Sequence, residues 1–292
     1  MKPVPSSVTK KYPQRGPLQQ VRFAESTTFN CFRCGDSKKS KLIAVYDGDW
    51  SKRLCNGCYG RLLSLYEIKA GTPADDQSAE ELAHVLLSMV ALDDQRRAES
   101  LFKASESRAE YLSAKSLQFI ATAEHVAQQL HAEPQLEWSP AVIGLCKAVE
   151  SEIVWRILQP LAARASRKNL SVDKKDKDLK RVATFCGDPN RTPPELGAFA
   201  YFLQTVIHSQ KRRETSIVIG SFLQLAAEWA DSHWLLDPKG FHRKLGLLTR
   251  DFRNRAAHID ELGREDYLNC RELVVGADGV LWRLVLATEC RQ

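Results

Sequence analysis

Ser139-Pro-Ala-Val-Ile-Gly-Leu-Cys-Lys-Ala-Val-Glu-Ser-Glu-Ile-Val-Trp-Arg-Ile-Leu-Gln-Pro-Leu161 decides the fold. Val142, Leu145, Val149, Ile153, Ile157 and Leu161 recur three or four residues apart, the period of one helix face. Ser139 can cap the first turn, and Pro140 suits a position whose N–H has no helical partner. The chain beyond repeats the pattern. Pro193-Pro194 opens a helix through Phe199, Phe202, Leu203 and Val206. Residues 214–232 carry Ile217, Ile219, Phe222, Leu223, Leu225 and Ala226, and Pro238 opens a helix with Leu245, Leu248, Phe252, Ala256 and Ile259. Residues 261–275 make a further helix, while the Arg-, Lys- and Asp-rich run 164–182 reads as an exposed connection. Gly276-Ala-Asp-Gly279 signals a turn, and Val280 to Leu286 read as the returning strand of a short hairpin. The expected fold is mainly α, with residues 138–292 forming a helical bundle and a C-terminal hairpin.

N-terminal to this bundle the composition changes twice. Residues 74–133 contain neither Gly nor Pro and are rich in Ala, Glu, Gln, Leu and Ser, so they read as a long helical spacer. Leu82, Val85, Leu86, Met89 and Leu92 make one apolar stripe; Tyr111, Leu112, Phe119, Ile120 and Val126 make a second. The spacer is one helix or a hairpin bent near Asp93. Residues 1–24, with three prolines by position 13 and scattered lysines, read as a flexible basic arm. The net charge of +6 is unevenly spread. Residues 1–75 hold 13 Lys/Arg against 6 Asp/Glu, and residues 76–136 hold 5 against 10. A basic head points to an anionic partner such as nucleic acid, or serves only to solubilise the chain.

Residues 25–70 carry the strongest chemical signal. Cys31-Phe-Arg-Cys34 and Cys55-Asn-Gly-Cys58 are two C-x2-C pairs separated by 20 residues. Four thiolates so spaced suit a closed tetrahedral zinc site, in which the ion is structural because no coordination position stays open. Leu42-Ile-Ala-Val-Tyr46 is β-prone, and Asp47-Gly48-Asp49 is a turn. The stretch resembles a zinc ribbon, a module that binds DNA, RNA or protein, or simply caps a domain. Lys38, Lys39, Lys41, Lys52, Arg33 and Arg53 favour nucleic acid; Phe32, Tyr46, Trp50 and Tyr59 can stack on bases or fill a small core. The remaining cysteines, Cys146, Cys186, Cys270 and Cys290, have no ligand spacing, and none of the eight reads as part of a disulfide framework.

Asp251-Phe-Arg-Asn-Arg-Ala-Ala-His258 is the most informative string for function. It resembles the R-x4-H motif of HEPN domains (higher eukaryotes and prokaryotes nucleotide-binding), with a polar Asn254 after the arginine. The resemblance covers roughly residues 138–275, including the first helix, Ser139 to Glu152. It implies a dimeric, metal-independent endoribonuclease in which Arg253 binds the scissile phosphate and His258 transfers protons. Asn254 and Glu150 are implied as supporting polar groups, with Glu152 as the other acidic candidate on the first helix. The expected products are a 2′,3′-cyclic phosphate and a 5′-hydroxyl, and the biological setting is that of a bacterial toxin or antiviral-defence effector. On a regular helix Arg253 and His258 lie about 140° apart, so the helix bends inside the motif or a second protomer closes the site.

A second reading keeps the bundle as a non-catalytic dimerising scaffold, with the zinc ribbon binding nucleic acid or protein. The motifs G-x4-G-K-[ST], G-x-G-x-x-G and H-E-x-x-H are absent from the sequence. No run reaches the ~18 apolar residues of a membrane span, and the first residues lack an apolar signal-peptide core. A cytoplasmic protein without membrane contact is expected.

Overall fold

The computed structural model describes residues 7–33, 35–70, 75–88, 90–131, 137–257 and 262–290. It is mainly helical, 64% helix, with a small four-stranded antiparallel sheet at the N-terminus. The sheet is a meander in the order β1 (Val8–Lys11), β2 (Leu18–Asn30), β3 (Ser37–Tyr46), β4 (Asp49–Leu54). It begins within the residues read as a flexible arm. From Ser7 on that expectation fails, because Leu18, Val21 and Phe23 of β2 are buried, with Leu18 and Val21 paired to β3 and Phe23 to Val8 of β1. The β3–β4 hairpin turns on Asp47 and Gly48, both with positive φ, the geometry of a two-residue turn matched to strand twist. The apolar face of the sheet is covered by α1 (Asn56–Ala70), with Tyr46 Oη and Tyr66 Oη 3.0 Å apart.

The spacer is neither one helix nor a hairpin. It forms α2 (Asp75–Ser88), α3 (Leu92–Ser105), a 3-10 turn (Ser107–Tyr111) and α4 (Ala114–His131). Asp93 and Asp94 fall in the first turn of α3, where negative charge suits the helix dipole. Ser113 accepts from the Ser116 amide and so caps α4. The stripes read from sequence are buried only in part: Leu82, Leu86, Leu112, Phe119, Ile120 and Val126 lie in one core continuous with the sheet and the bundle, whereas Leu92 and Tyr111 are exposed.

At the centre lies α5 (Ser139–Ile153), buried on nearly every side by α2, α4 and the later helices. A helix apolar all round is an interior helix. Gly144 permits the close approach: a methyl group there would meet Leu86 Cδ2 at 2.6 Å and Ala123 Cβ at 2.9 Å. The helix continues through a π-helical turn (Val154–Leu158) into α6 (Gln159–Ala165). There follow α7 (Lys180–Gly187), α8 (Leu196–His208), α9 (Gln210–Thr215), α10 (Ile217–Ala226) and α11 (Ser232–Leu236). The chain ends with α12 (Phe241–Leu247), a second π-helical turn (Leu248–Arg253), α13 (Asn254–Ala257), α14 (Arg264–Val275) and α15 (Val280–Ala287). The expected return strand is therefore a helix. Leu281, Leu284, Val285 and Thr288 share one face at helical spacing, and Trp282 Nε1 donates to the Val275 carbonyl at 3.0 Å.

Candidate functional site

The motif arginine sits at the end of the second π-helical turn. An i→i+5 turn holds one residue more than an α-turn, so the positions after it rotate by about 100° relative to an unbroken helix. The apolar stripe places Phe252 inward and Arg253 on its flank. In the structure Phe252 is only half-buried, and Arg253 is 3% exposed. Arg253 Nη1 donates to Asn254 Oδ1 at 3.3 Å. Removing a guanidinium from water costs several kcal/mol, so a buried one marks a place where charge is held for a reason.

Against this turn packs α5, which supplies Glu150 and Lys147. Lys147 Nζ donates to Glu150 Oε1 at 2.8 Å and also to Glu80 of α2. Burial pushes the Glu150 carboxyl above its ordinary range, with Lys147 and then Arg253 opposing it through their positive charge. Burial disfavours the Lys147 ammonium, but Glu150 and Glu80 outweigh it and raise its pKa. For Glu80 burial is the largest single influence and acts upward, but the hydrogen bond and the charge of Lys147, with His84 and Lys115, together outweigh it and hold that carboxyl low. Glu152, the other acidic candidate, is fully buried and structural. It accepts from Arg156 Nε at 2.6 Å and from the Ser113 amide at 3.0 Å, tying α5 to the start of α4.

Three adjoining cavities run along this side of the bundle. The first, 570 Å³, is lined by Glu80, Lys147 and Glu150 together with Lys115, Phe119 and Trp155. The second, 560 Å³, contains Thr249, Arg253 and Asn254, with Gly197, Ala198 and Tyr201 of α8 opposite. Arg181 and Glu195 line both. Arg181 donates to Glu195 Oε1 at 2.5 Å, whereas Glu195 Oε2 and Thr249 Oγ1 are buried with no hydrogen-bond partner among the described residues. The third cavity, 360 Å³, shares Lys177, Asp178 and Tyr201 with the second. The run 164–182, read as a mere exposed connection, thus contributes Lys177, Asp178 and Arg181. Neither these nor Trp155 and Tyr201 stand out in sequence; the one available signal is a large aromatic on the polar side of an amphipathic helix.

His258 lies outside the described residues. The chain on either side of it is anchored. Arg255 Nη1 donates to Asp266 Oδ1 at 2.8 Å, and Asp266 Oδ2 accepts from the Gly263 amide at 3.0 Å. Glu137 Oε1 accepts from the Leu262 amide at 3.1 Å and from Ser139 Oγ at 2.6 Å, joining the segment after the motif to the start of α5.

A second constellation is formed at the sheet. Cys31 follows β2, Cys55 follows β4, and Cys58 lies in the first turn of α1. Their sulfurs lie within 4.8 Å of one another. Thiolates in a tetrahedral zinc site are about 3.8 Å apart, from a Zn–S bond near ~2.3 Å, so the three fit one ion with little adjustment. The Cys55 amide donates to Cys31 Sγ at 3.3 Å, the kind of contact that stabilises a thiolate. A hydrogen bond with Cys31, then burial, pushes the Cys58 thiol far above its ordinary value. A cation among the three sulfurs reverses that preference. Cys34, the fourth ligand by spacing, lies outside the described residues. The aromatic residues here are spent on packing: Phe32 stacks on Tyr46 at 6.3 Å between ring centres, and Trp50 meets Phe23 edge-on at 6.2 Å. Cys146, Cys186 and Cys270 are buried in the bundle, and Cys290 is exposed.

No helix among the described residues is long and apolar enough to cross a membrane. No family model matches the chain, nor does any curated protein or any solved structure.

Proposed function

We propose that the chain is a HEPN-like, metal-independent endoribonuclease of the cytoplasm, acting as a homodimer through its helical bundle. The observation that carries this reading is the placement of Arg253: buried, on a π-helical turn, in the wall of a cavity that also holds Asn254, Arg181 and Lys177. π-Turns within helices recur at functional sites, and a guanidinium fork meets a phosphate bidentately. In the proposed reaction His258 takes the proton of the ribose 2′-hydroxyl. The 2′-oxygen attacks phosphorus, the P–O5′ bond breaks, and the 5′-oxygen leaves with a proton. Imidazole suits either proton transfer because its pKa lies near ~6.5. Arg253 meets the charge gathered on the phosphorane oxygens. Glu150, whose carboxyl burial pushes above its ordinary range, supports Lys147 and the arginine from α5.

The cysteine cluster serves in this reading as a structural zinc site of ribbon type, with Cys31, Cys34, Cys55 and Cys58 as ligands, and the exposed Lys39 and Lys41 beside it as an RNA contact. Action as a toxin or defence effector fits an RNA-cleaving chain with a recognition head. The 2′-hydroxyl is the test. An RNA oligonucleotide is cut to cyclic-phosphate ends, whereas the same sequence with 2′-O-methyl groups is not. Equal cutting of both would exclude this chemistry, and cutting of neither would exclude the nuclease.

A further inference from the structure

The three cavities share lining residues and run on as one groove, which carries two exposed aromatic rings, one in the first cavity and one in the cavity of Arg253. Trp155, in the first cavity, is 58% exposed; Tyr201, shared by the second and third, is 62% exposed. The other five tryptophans are buried or half-buried, so Trp155 stands apart. It lies on the π-helical turn that follows α5, as Arg253 ends the π-helical turn that follows α12. Arg181 lines both larger cavities, and Glu195 Oε2 and Thr249 Oγ1 there are buried with no hydrogen-bond partner among the described residues.

We infer that this groove binds a single-stranded RNA segment, with one nucleobase stacked on Trp155, another on Tyr201, and the phosphate between them at Arg253 and Arg181. Aromatic rings interleaved with cations are what unpaired nucleic acid needs, since every base has a face to stack and every linkage a charge to meet. Bases in a duplex are already stacked on each other and present neither ring with a partner. The site therefore selects unpaired strands. This deepens the ribonuclease reading and rests on it for the placement of the phosphate.

A fluorescein-labelled hexaribonucleotide carrying 2′-O-methyl groups throughout is the probe, because it binds without being cut. Fluorescence anisotropy should show Trp155→Ala and Tyr201→Ala each weakening binding by about tenfold or more, from the roughly 1–3 kcal/mol of one base–aromatic stack. Trp155→Phe should retain most of the affinity. Saturating probe should quench the tryptophan emission of the wild type and not that of Trp155→Phe. The same hexamer in duplex form should bind more weakly than the single strand. Wild-type affinity in both alanine variants would overturn the inference, and so would an absence of binding by the wild type. Loss of the dimer in either alanine variant, by sedimentation, would assign the rings to a subunit interface and overturn it as well. The two readings fail separately. Cleavage lost with Arg253→Ala but unchanged with Trp155→Ala and Tyr201→Ala leaves the nuclease and removes the stacking groove. Aromatic-dependent binding without cleavage does the opposite.

Discussion

Arg253 and Glu150 show how local backbone decides what a residue can do. The sequence string around Arg253 names a motif, but a regular helix leaves its guanidinium on the flank of the apolar stripe; at the end of the π-turn it is buried. Hydrophobic periodicity assumes a constant turn, so this inward placement was illegible before the structure, as were Lys147 as a bridge between Glu80 and Glu150 and the aromatic pair Trp155 and Tyr201. Glu150 and Glu152 look equivalent in the sequence and are not. One lines a cavity beside Lys147, and the other is a buried tie to Arg156 and Ser113. The raised Glu150 pKa has a definite sign. A carboxyl that holds its proton more tightly in the fold than in the unfolded chain contributes stability below the unfolded value, and this is lost as the pH rises through the folded value. Glu150→Gln should therefore gain stability relative to wild type as the pH climbs above about 4.3, the ordinary glutamate value. Thermal melts across that range check this; a gap between the two proteins that stays constant with pH contradicts it.

At the level of elements, helix positions were read well and helix ends less so. The stripe from Val142 to Leu161 is the interior helix and its continuation, and Asp47-Gly48 makes the expected hairpin. The errors have physical causes. The spacer broke into three helices because Ser113 caps a new start and Asp93 and Asp94 suit another. Val280 to Leu286 was read as a strand from its valines, yet its burial follows helical spacing. The arm joined the sheet because strand pairing depends on a distant partner that local propensity does not register. Gly144 offers a test of the crowding around α5. Alanine improves helix propensity by about 1 kcal/mol but drives a methyl into Leu86 and Ala123, an overpacking that costs about 1–3 kcal/mol. Gly144→Ala should lower the denaturation midpoint, and an unchanged or higher midpoint would show that α2 and α4 can yield.

On the scale of the whole molecule, the sheet, the three-helix region and the bundle share one core, and α2 reaches from the cysteine-bearing head to the groove through Glu80. The paired cysteine spacing made the head's cysteine cluster legible from sequence, because ligand spacing survives any detail of the fold; the groove, assembled from residues of α2, α4, α5, α7, α8 and the two π-helical turns, had no such signature. Elemental analysis of the purified chain should find about one zinc per molecule, retained by the wild type and lost in Cys31→Ser, and a metal-free wild type would remove the ribbon. The central claim is cleavage of RNA by Arg253 and His258. Its most direct measurement is end-group analysis of total RNA incubated in magnesium-free buffer with wild type, Arg253→Ala and His258→Ala, each first shown to be folded by thermal melting. A ribonuclease of the proposed kind leaves 2′,3′-cyclic phosphates and 5′-hydroxyls with the wild type and intact RNA with both variants. Equal cleavage by all three, or none by the wild type, would contradict it.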